Sequence, residues 1–210
     1  LVRHERVIRA VAPALREGSE KLRLATALAL GSADHPAAGE LLAGEIGANQ
    51  GRSAMLAAIA VSLGQLGFEY AAPALHELIR KLGDLEVRRA GVEVFPALGE
   101  IGSAGSVEVI LDFLSRVEGS GRKPWEESGQ LIQAARLALQ RITGEKYQGH
   151  LRWEEWWRDN RSRLAENSRR VWWVRKTQER LNLGPGEKPP ADVVFVQARL
   201  WDRPAPKKKP

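Results

Sequence analysis

The chain has 210 residues and is 43 % apolar, enough for one compact domain or for a short array followed by a tail. It contains no cysteine, which excludes a disulfide scaffold, thiolate zinc ligation and cysteine nucleophiles; no stretch approaches the roughly 20 apolar residues of a membrane span. The net charge of +6 is uneven: residues 1–120 carry 12 basic against 15 acidic side chains, and residues 121–210 carry 20 against 11.

Taken in chain order, apolar residues at helical spacing predict paired helices. The first pair covers residues 2–16 and 21–30, the second 36–46 and 52–63, the third 71–82 and 85–98, and the fourth 106–117 and 125–142. Helical periodicity begins at once, with Val7, Ile8, Val11, Ala12 and Leu15 on one face and no N-cap before it. A first helix without a polar capping unit is expected of a fragment or a processed protein. No signal peptide is visible, and the compartment is left open. Pro36 suits a helix start, where its missing N–H costs nothing, whereas Pro13, Pro73 and Pro96 sit nearer helix interiors or first turns, where kinks are expected. Residues 118–123 (EGSGRK) form a loop insertion in the fourth unit. After Gly144 come a Trp-rich helix over about 151–164 and another over about 168–181. From Gly184 the composition turns to Gly, Pro and Lys, expected of a flexible tail; within it, residues 193–201 (VVFVQARLW) are β-prone and could dock on a partner or fold back.

The pairs are tied together by a repeat. Leu63-Gly64-Gln65-Leu66-Gly67 returns 35 residues later as Leu98-Gly99-Glu100-Ile101-Gly102. At the same offset Ala74, Leu75, Leu78, Ile79 and Leu82 fall on Val109, Ile110, Phe113, Leu114 and Val117. Amphipathic pairs recurring at this period bury their stripes by stacking, which is the signature of a solenoid. Gly31, Gly64 and Gly99 recur at spacings of 33 and 35 and are expected to close the second helices as left-handed caps.

Asp84-Leu85-Glu86-Val87-Arg88-Arg89-Ala90 followed by Ala97-Leu98-Gly99-Glu100-Ile101-Gly102 resembles the short HEAT-like repeats of bacteria, also called phycobilisome-lyase-type repeats. The resemblance covers residues 1–145 and departs from the pattern at Ser19 and Ser53, where an acid and an arginine belong. Neither the ankyrin nor the tetratricopeptide pattern occurs. The run Ala138-Leu139-Gln140-Arg141-Ile142-Thr143-Gly144, with Tyr147 and then Trp153-Glu154-Glu155-Trp156-Trp157, looks like the closing segment of many bacterial HEAT-repeat proteins. The resemblance implies a C-terminal cap and a scaffold; it carries no single activity.

Trp153, Trp156, Trp157 and Leu164 share one helical stripe and are expected to seal the last repeat. The adjacent Trp172 and Trp173 cannot both face that core. Either one is exposed among Arg169, Arg170, Arg175 and Lys176 as a binding hot spot, or both are buried between cap and tail. His4-Glu5 and His76-Glu77 are similar to the iron-binding His-Glu pairs of HEAT-type deoxyhypusine hydroxylases, but there are two pairs only and their registers differ. No Walker loop, His-Glu-x-x-His, Gly-x-Ser-x-Gly or dinucleotide fingerprint occurs.

The expected architecture is an all-α, right-handed α-solenoid of about four HEAT-like helix pairs (residues 1–145), a basic Trp-rich helical cap (146–183) and a flexible tail (184–210). The expected function is a non-enzymatic scaffold without cofactor or metal, binding a protein partner through the concave surface of the second helices, with Arg88, Arg89, Arg169, Arg170, Trp172, Trp173 and Arg175 as partner-binding residues. The alternative is nucleic-acid binding through Arg161–Arg180, where seven basic residues face two acidic ones. The slightly acidic repeats, with the basic excess in the cap and tail, favour a protein partner or an electrostatic tether at one end.

Overall fold

The computed structural model describes residues 5–33, 35–83, 85–118, 128–162 and 164. All of them belong to the first of two compact units, Leu1–Glu166. The second unit, Asn167–Pro210, and with it the predicted second cap helix and the tail, lies outside the described residues.

The described residues are all-helical, without a strand. In chain order the helices are α1 (Glu5–Ala10), α2 (Ala12–Glu17), α3 (Glu20–Gly31), α4 (Pro36–Glu45), α5 (Ser53–Leu66), α6 (Ala72–Arg80), α7 (Leu85–Ile101), α8 (Gly105–Glu118) and α9 (Ser128–Thr143). A further helix, α10, covers residues 150–162. The expected first helix is two, because Pro13 has no N–H and its ring excludes the carbonyl four residues earlier, so α1 stops at Ala10 and α2 starts afresh. Pro36 and Pro73 sit in the first turns of α4 and α6, where they interrupt nothing. Pro96 alone lies inside a helix, α7. The Ser19 hydroxyl caps α3 by accepting from Leu22 N–H (3.3 Å), and His35 Nδ1 caps α4 by accepting from Ala37 N–H (3.1 Å).

Two layers result. α3, α5, α7 and α9 pack against one another in chain order, and α2, α4, α6 and α8 each pack on the helix that follows. The layers share a core of fully buried side chains such as Leu42, Leu63, Leu75, Phe95 and Leu114. Phe95 of α7 meets Phe113 of α8 with ring centroids 4.8 Å apart.

The recurrent glycines serve a different purpose from the one expected. None of Gly31, Gly64 and Gly99 has positive φ. The left-handed caps are Gly67 (φ 67°), Gly102 (φ 71°) and Gly144 (φ 80°), whose N–H groups return to the carbonyls of Leu63, Leu98 and Gln140 at 2.9 Å. The earlier glycines are where one helix touches the next. A Cβ on Gly31 would lie 2.9 Å from Ser62 Cα, on Gly64 2.8 Å from Ala97 Cα, and on Gly99 3.2 Å from Ala138 Cα. The facing residues are themselves small, and the Ser62 hydroxyl donates to Ala27 O (2.9 Å), so its burial leaves no donor unmet. Each Leu-Gly-x-x-Gly therefore does two jobs: its first glycine admits the next helix, and its second ends its own.

Polar contacts at similar separations join the layer of α4, α6 and α8 near the helix starts. Tyr70 donates to Pro36 O (2.6 Å), Ser103 Oγ donates to Glu69 Oε1 (3.2 Å), and His76 Nε2 lies 2.9 Å from Ser106 Oγ. Burial, reinforced by the Arg80 charge, pushes His76 down to about 4. Unfolding restores the ordinary value of about 6.5, so between these values the unfolded chain binds more protons and folding stability falls as the pH drops. Urea midpoints should fall between pH 7 and pH 4 in the native chain, and His76→Gln should flatten that slope; an unchanged slope would assign the acid sensitivity to other groups.

Candidate functional site

Helix α5 is enclosed by α3, α7 and α4 and keeps one open stripe: Ala54 and Gln65 are exposed, and Ala57 and Val61 are half-buried between them. Positions 54, 57, 61 and 65 recur at helical spacing, so they share one face. The contacts at the glycines set the register between neighbouring helices. Val61, Pro96 and Leu137 immediately precede Ser62, Ala97 and Ala138, and Leu28 stands three residues before Gly31 as Val61 does before Gly64. The equivalent positions on α3, α5, α7 and α9 are thus Leu28, Val61, Pro96 and Leu137, an apolar row across the layer. Leu28 is 46 % exposed and Leu137 49 %, while Val61 and Pro96 are half-buried. One turn earlier, Leu24, Ala57 and Val92 widen the row, and Gln133 closes it at α9.

The flanks of this row differ. Two turns towards the helix N-termini the equivalent positions are Lys21, Ala54, Arg89 and Gln130, all exposed. On the other side Glu100 and Arg141 pair across α7 and α9 at 2.6 Å and neutralise each other. Scattered exposed apolar side chains are ordinary, whereas a contiguous row at repeat-equivalent positions is a candidate interaction surface. Pro96 adds a polar opportunity, since a proline inside a helix leaves the carbonyl four residues earlier, that of Val92, without its helical donor.

Of the residues singled out from the sequence, Arg89 lies on the basic flank of the row. Arg88 is half-buried, and both arginines are engaged by other groups. Arg169, Arg170, Trp172, Trp173 and Arg175 lie outside the described residues, as does most of the basic run. Arg161, at its start, is committed to Glu108 of α8 at 3.0 Å. The apolar row itself was missed in the sequence. The signal for it was the Ser62–Ala97–Ala138 register, whose second step is 41 residues rather than 35 because of the insertion before α9.

The Trp stripe is resolved more sharply. Trp153 is 1 % exposed and stands edge-on to Tyr147 (5.0 Å) and Trp156 (6.2 Å), whereas Trp156, Trp157 and Leu164 are half-buried. At the start of α10, His150 N–H donates to Glu118 Oε2 (3.0 Å), and its Nδ1 lies 3.2 Å from the same oxygen. Arg136 of α9 donates to Glu118 Oε1 (2.8 Å). With Glu118 at the end of α8 facing the start of α10, and Glu108 facing Arg161 near its end, α10 runs antiparallel to α8. The contact Glu69–Ser103, just before α6 and α8, and the contact His76–Ser106 within them advance in the same direction along both segments, so α10 does not continue that layer's direction.

Among the described residues no three His, Asp or Glu side chains gather as a metal site. His35, His76 and His150 each have a protein partner, and Glu77 pairs with Arg80. No helix among the described residues is long and apolar enough to cross a membrane. No protein-family model, curated protein or solved structure matches the chain.

Proposed function

We propose that the chain is a bacterial-type HEAT-like repeat protein: a right-handed α-solenoid of about four helix pairs, capped by the Trp-rich helix, which acts as a non-enzymatic scaffold and binds a protein partner across the face of its second helices. The observation that carries this reading is the row Leu28, Val61, Pro96 and Leu137. Apolar side chains occupy equivalent positions on successive helices, yet the packing leaves two of them exposed and two only half-buried. Neighbouring helices lie about 8–10 Å apart, so three steps give a row of roughly 25–30 Å, the length of a helix of about 20 residues. The Glu108–Arg161 pair supports a cap role for the start of the basic run, against its use on phosphates.

The test is site-specific photocrosslinking in cells. A photoreactive residue replacing Leu137 should capture a discrete protein, whereas one replacing the exposed Asp112 of α8 should not. Adding Leu28→Glu should suppress the Leu137 adduct while leaving the helical circular dichroism unchanged. Adducts of equal yield from both positions, or adducts with nucleic acid instead of protein, would overturn the scaffold reading.

A further inference from the structure

A second polar site lies away from the apolar row, where the end of α2, the end of α4 and the start of α5 converge. Glu45 is 3 % exposed although it is charged and occupies the last position of α4, where the helix dipole disfavours an acid. Its Oε1 accepts from Arg16 Nε at 2.6 Å. Asn49, also 3 % exposed, donates through Nδ2 to Glu45 O (2.8 Å), and its Oδ1 accepts from Arg52 Nη1 (3.4 Å). Each arginine is thus held by a buried side chain, while both remain exposed themselves. Both line one cleft of about 400 Å3, with Leu15 and Ala48 as its apolar wall. That is the volume of a small-molecule site.

A salt bridge needed only for packing would involve Arg16 and Glu45 alone. Here a second arginine is brought in through Asn49 to the same cleft, and the cluster keeps an excess positive charge. Glu45 bonds the Nε edge of Arg16, so the terminal nitrogens of its guanidinium remain as donors. Buried side chains that fix the orientation of exposed charged ones are how a binding shell is preorganised. We infer that Arg16 and Arg52 form a clamp for a phosphoryl group, with Glu45 and Asn49 as positioning residues. A phosphoryl group carries up to two negative charges on three terminal oxygens, so it matches two guanidiniums in charge and in acceptors better than a singly charged carboxylate does.

The experiment is an amide and guanidinium NMR titration of the full chain at low salt. The probes are inorganic phosphate, phenyl phosphate, acetate, and one peptide with and without phosphoserine. Saturable shifts at Arg16, Asn49 and Arg52 are expected with the phosphorylated probes. Arg52→Ala and Arg16→Lys should each weaken binding about tenfold with unchanged urea midpoints, because lysine keeps the charge opposite Glu45 but loses the fork. Shifts with inorganic and phenyl phosphate identify a small-molecule site, and shifts with the phosphopeptide alone identify a site that reads a modified chain. Absence of saturable shifts with every phosphorylated probe, acetate binding as tightly as phosphate, or undiminished binding by Arg52→Ala would overturn the clamp.

Discussion

Trp153→Ala is expected to cost about 3–5 kcal/mol, the range for truncating a fully buried large aromatic. Trp153 is 1 % exposed and lies at the centre of the ring cluster with Tyr147 and Trp156. Its removal opens a cavity between partners that polar contacts at both ends of α10 hold in place: the hydrogen bond from His150 N–H to Glu118 and the Glu108–Arg161 ion pair. Exposed pairs such as Glu108–Arg161 contribute little on their own, so the ring cluster carries most of the attachment of α10. The variant should therefore lose hydrogen-exchange protection first along residues 150–162, with the core of α5 and α7 affected less. Trp153→Phe gives a sharper comparison. The indole Nε1 is buried without an acceptor, an arrangement that itself costs stability. Phenylalanine keeps most of the apolar contact and removes that donor, so Trp153→Phe should retain most of the stability that Trp153→Ala loses. Urea unfolding followed by circular dichroism checks both; equal losses for the two variants would show that a phenyl ring does not fill the site and that the full indole is needed to hold α10.

The all-helical layout was legible in the sequence because the apolar spacing is regular and the helix ends carry recognisable residues. Most of the predicted helix starts and ends match the structure closely, and the Leu-Gly-x-x-Gly repeat correctly marked equivalent places on α5 and α7. The purpose of its first glycine was not legible. A cap and a close approach both select glycine, and only the position of the neighbouring helix separates them. At Pro13 a kink in one helix was expected rather than the division into α1 and α2, and the short turns Gly47–Asn49 and Glu69–Ala71 leave little trace in composition. Of the candidate sites, the Trp153 stripe was readable from helical spacing alone. The apolar row required the offset across residues 119–127, where the repeat loses its period. The Arg16–Glu45 contact joins residues 29 apart through the geometry of two helix ends, and no local pattern announces it.

Gly64→Ala should destabilise the fold by about 1–3 kcal/mol although alanine is the better helix former. In an exposed helix the same change is favourable by roughly 0.5–1 kcal/mol. Gly44, near the end of α4, supplies that reference: a Cβ there meets nothing within 4 Å, so Gly44→Ala should raise the urea midpoint. At Gly64 the new Cβ would stand 2.8 Å from Ala97 Cα and 3.1 Å from Ala97 Cβ. Backbone cannot swing aside as a flexible side chain can, so α5 and α7 must part along their contact, and the loss of close packing outweighs the gain in propensity. A compensating Ala97→Gly removes the Cβ but leaves the Cα, the nearer of the two atoms. It should therefore restore only part of the lost stability, with an added penalty for a third glycine inside α7, beside Gly91 and Gly99. Full recovery in the double variant would mean that the side chain alone sets the spacing. Gly64→Ala behaving like Gly44→Ala would mean that α5 and α7 are not in the close contact on which the register of the apolar row depends.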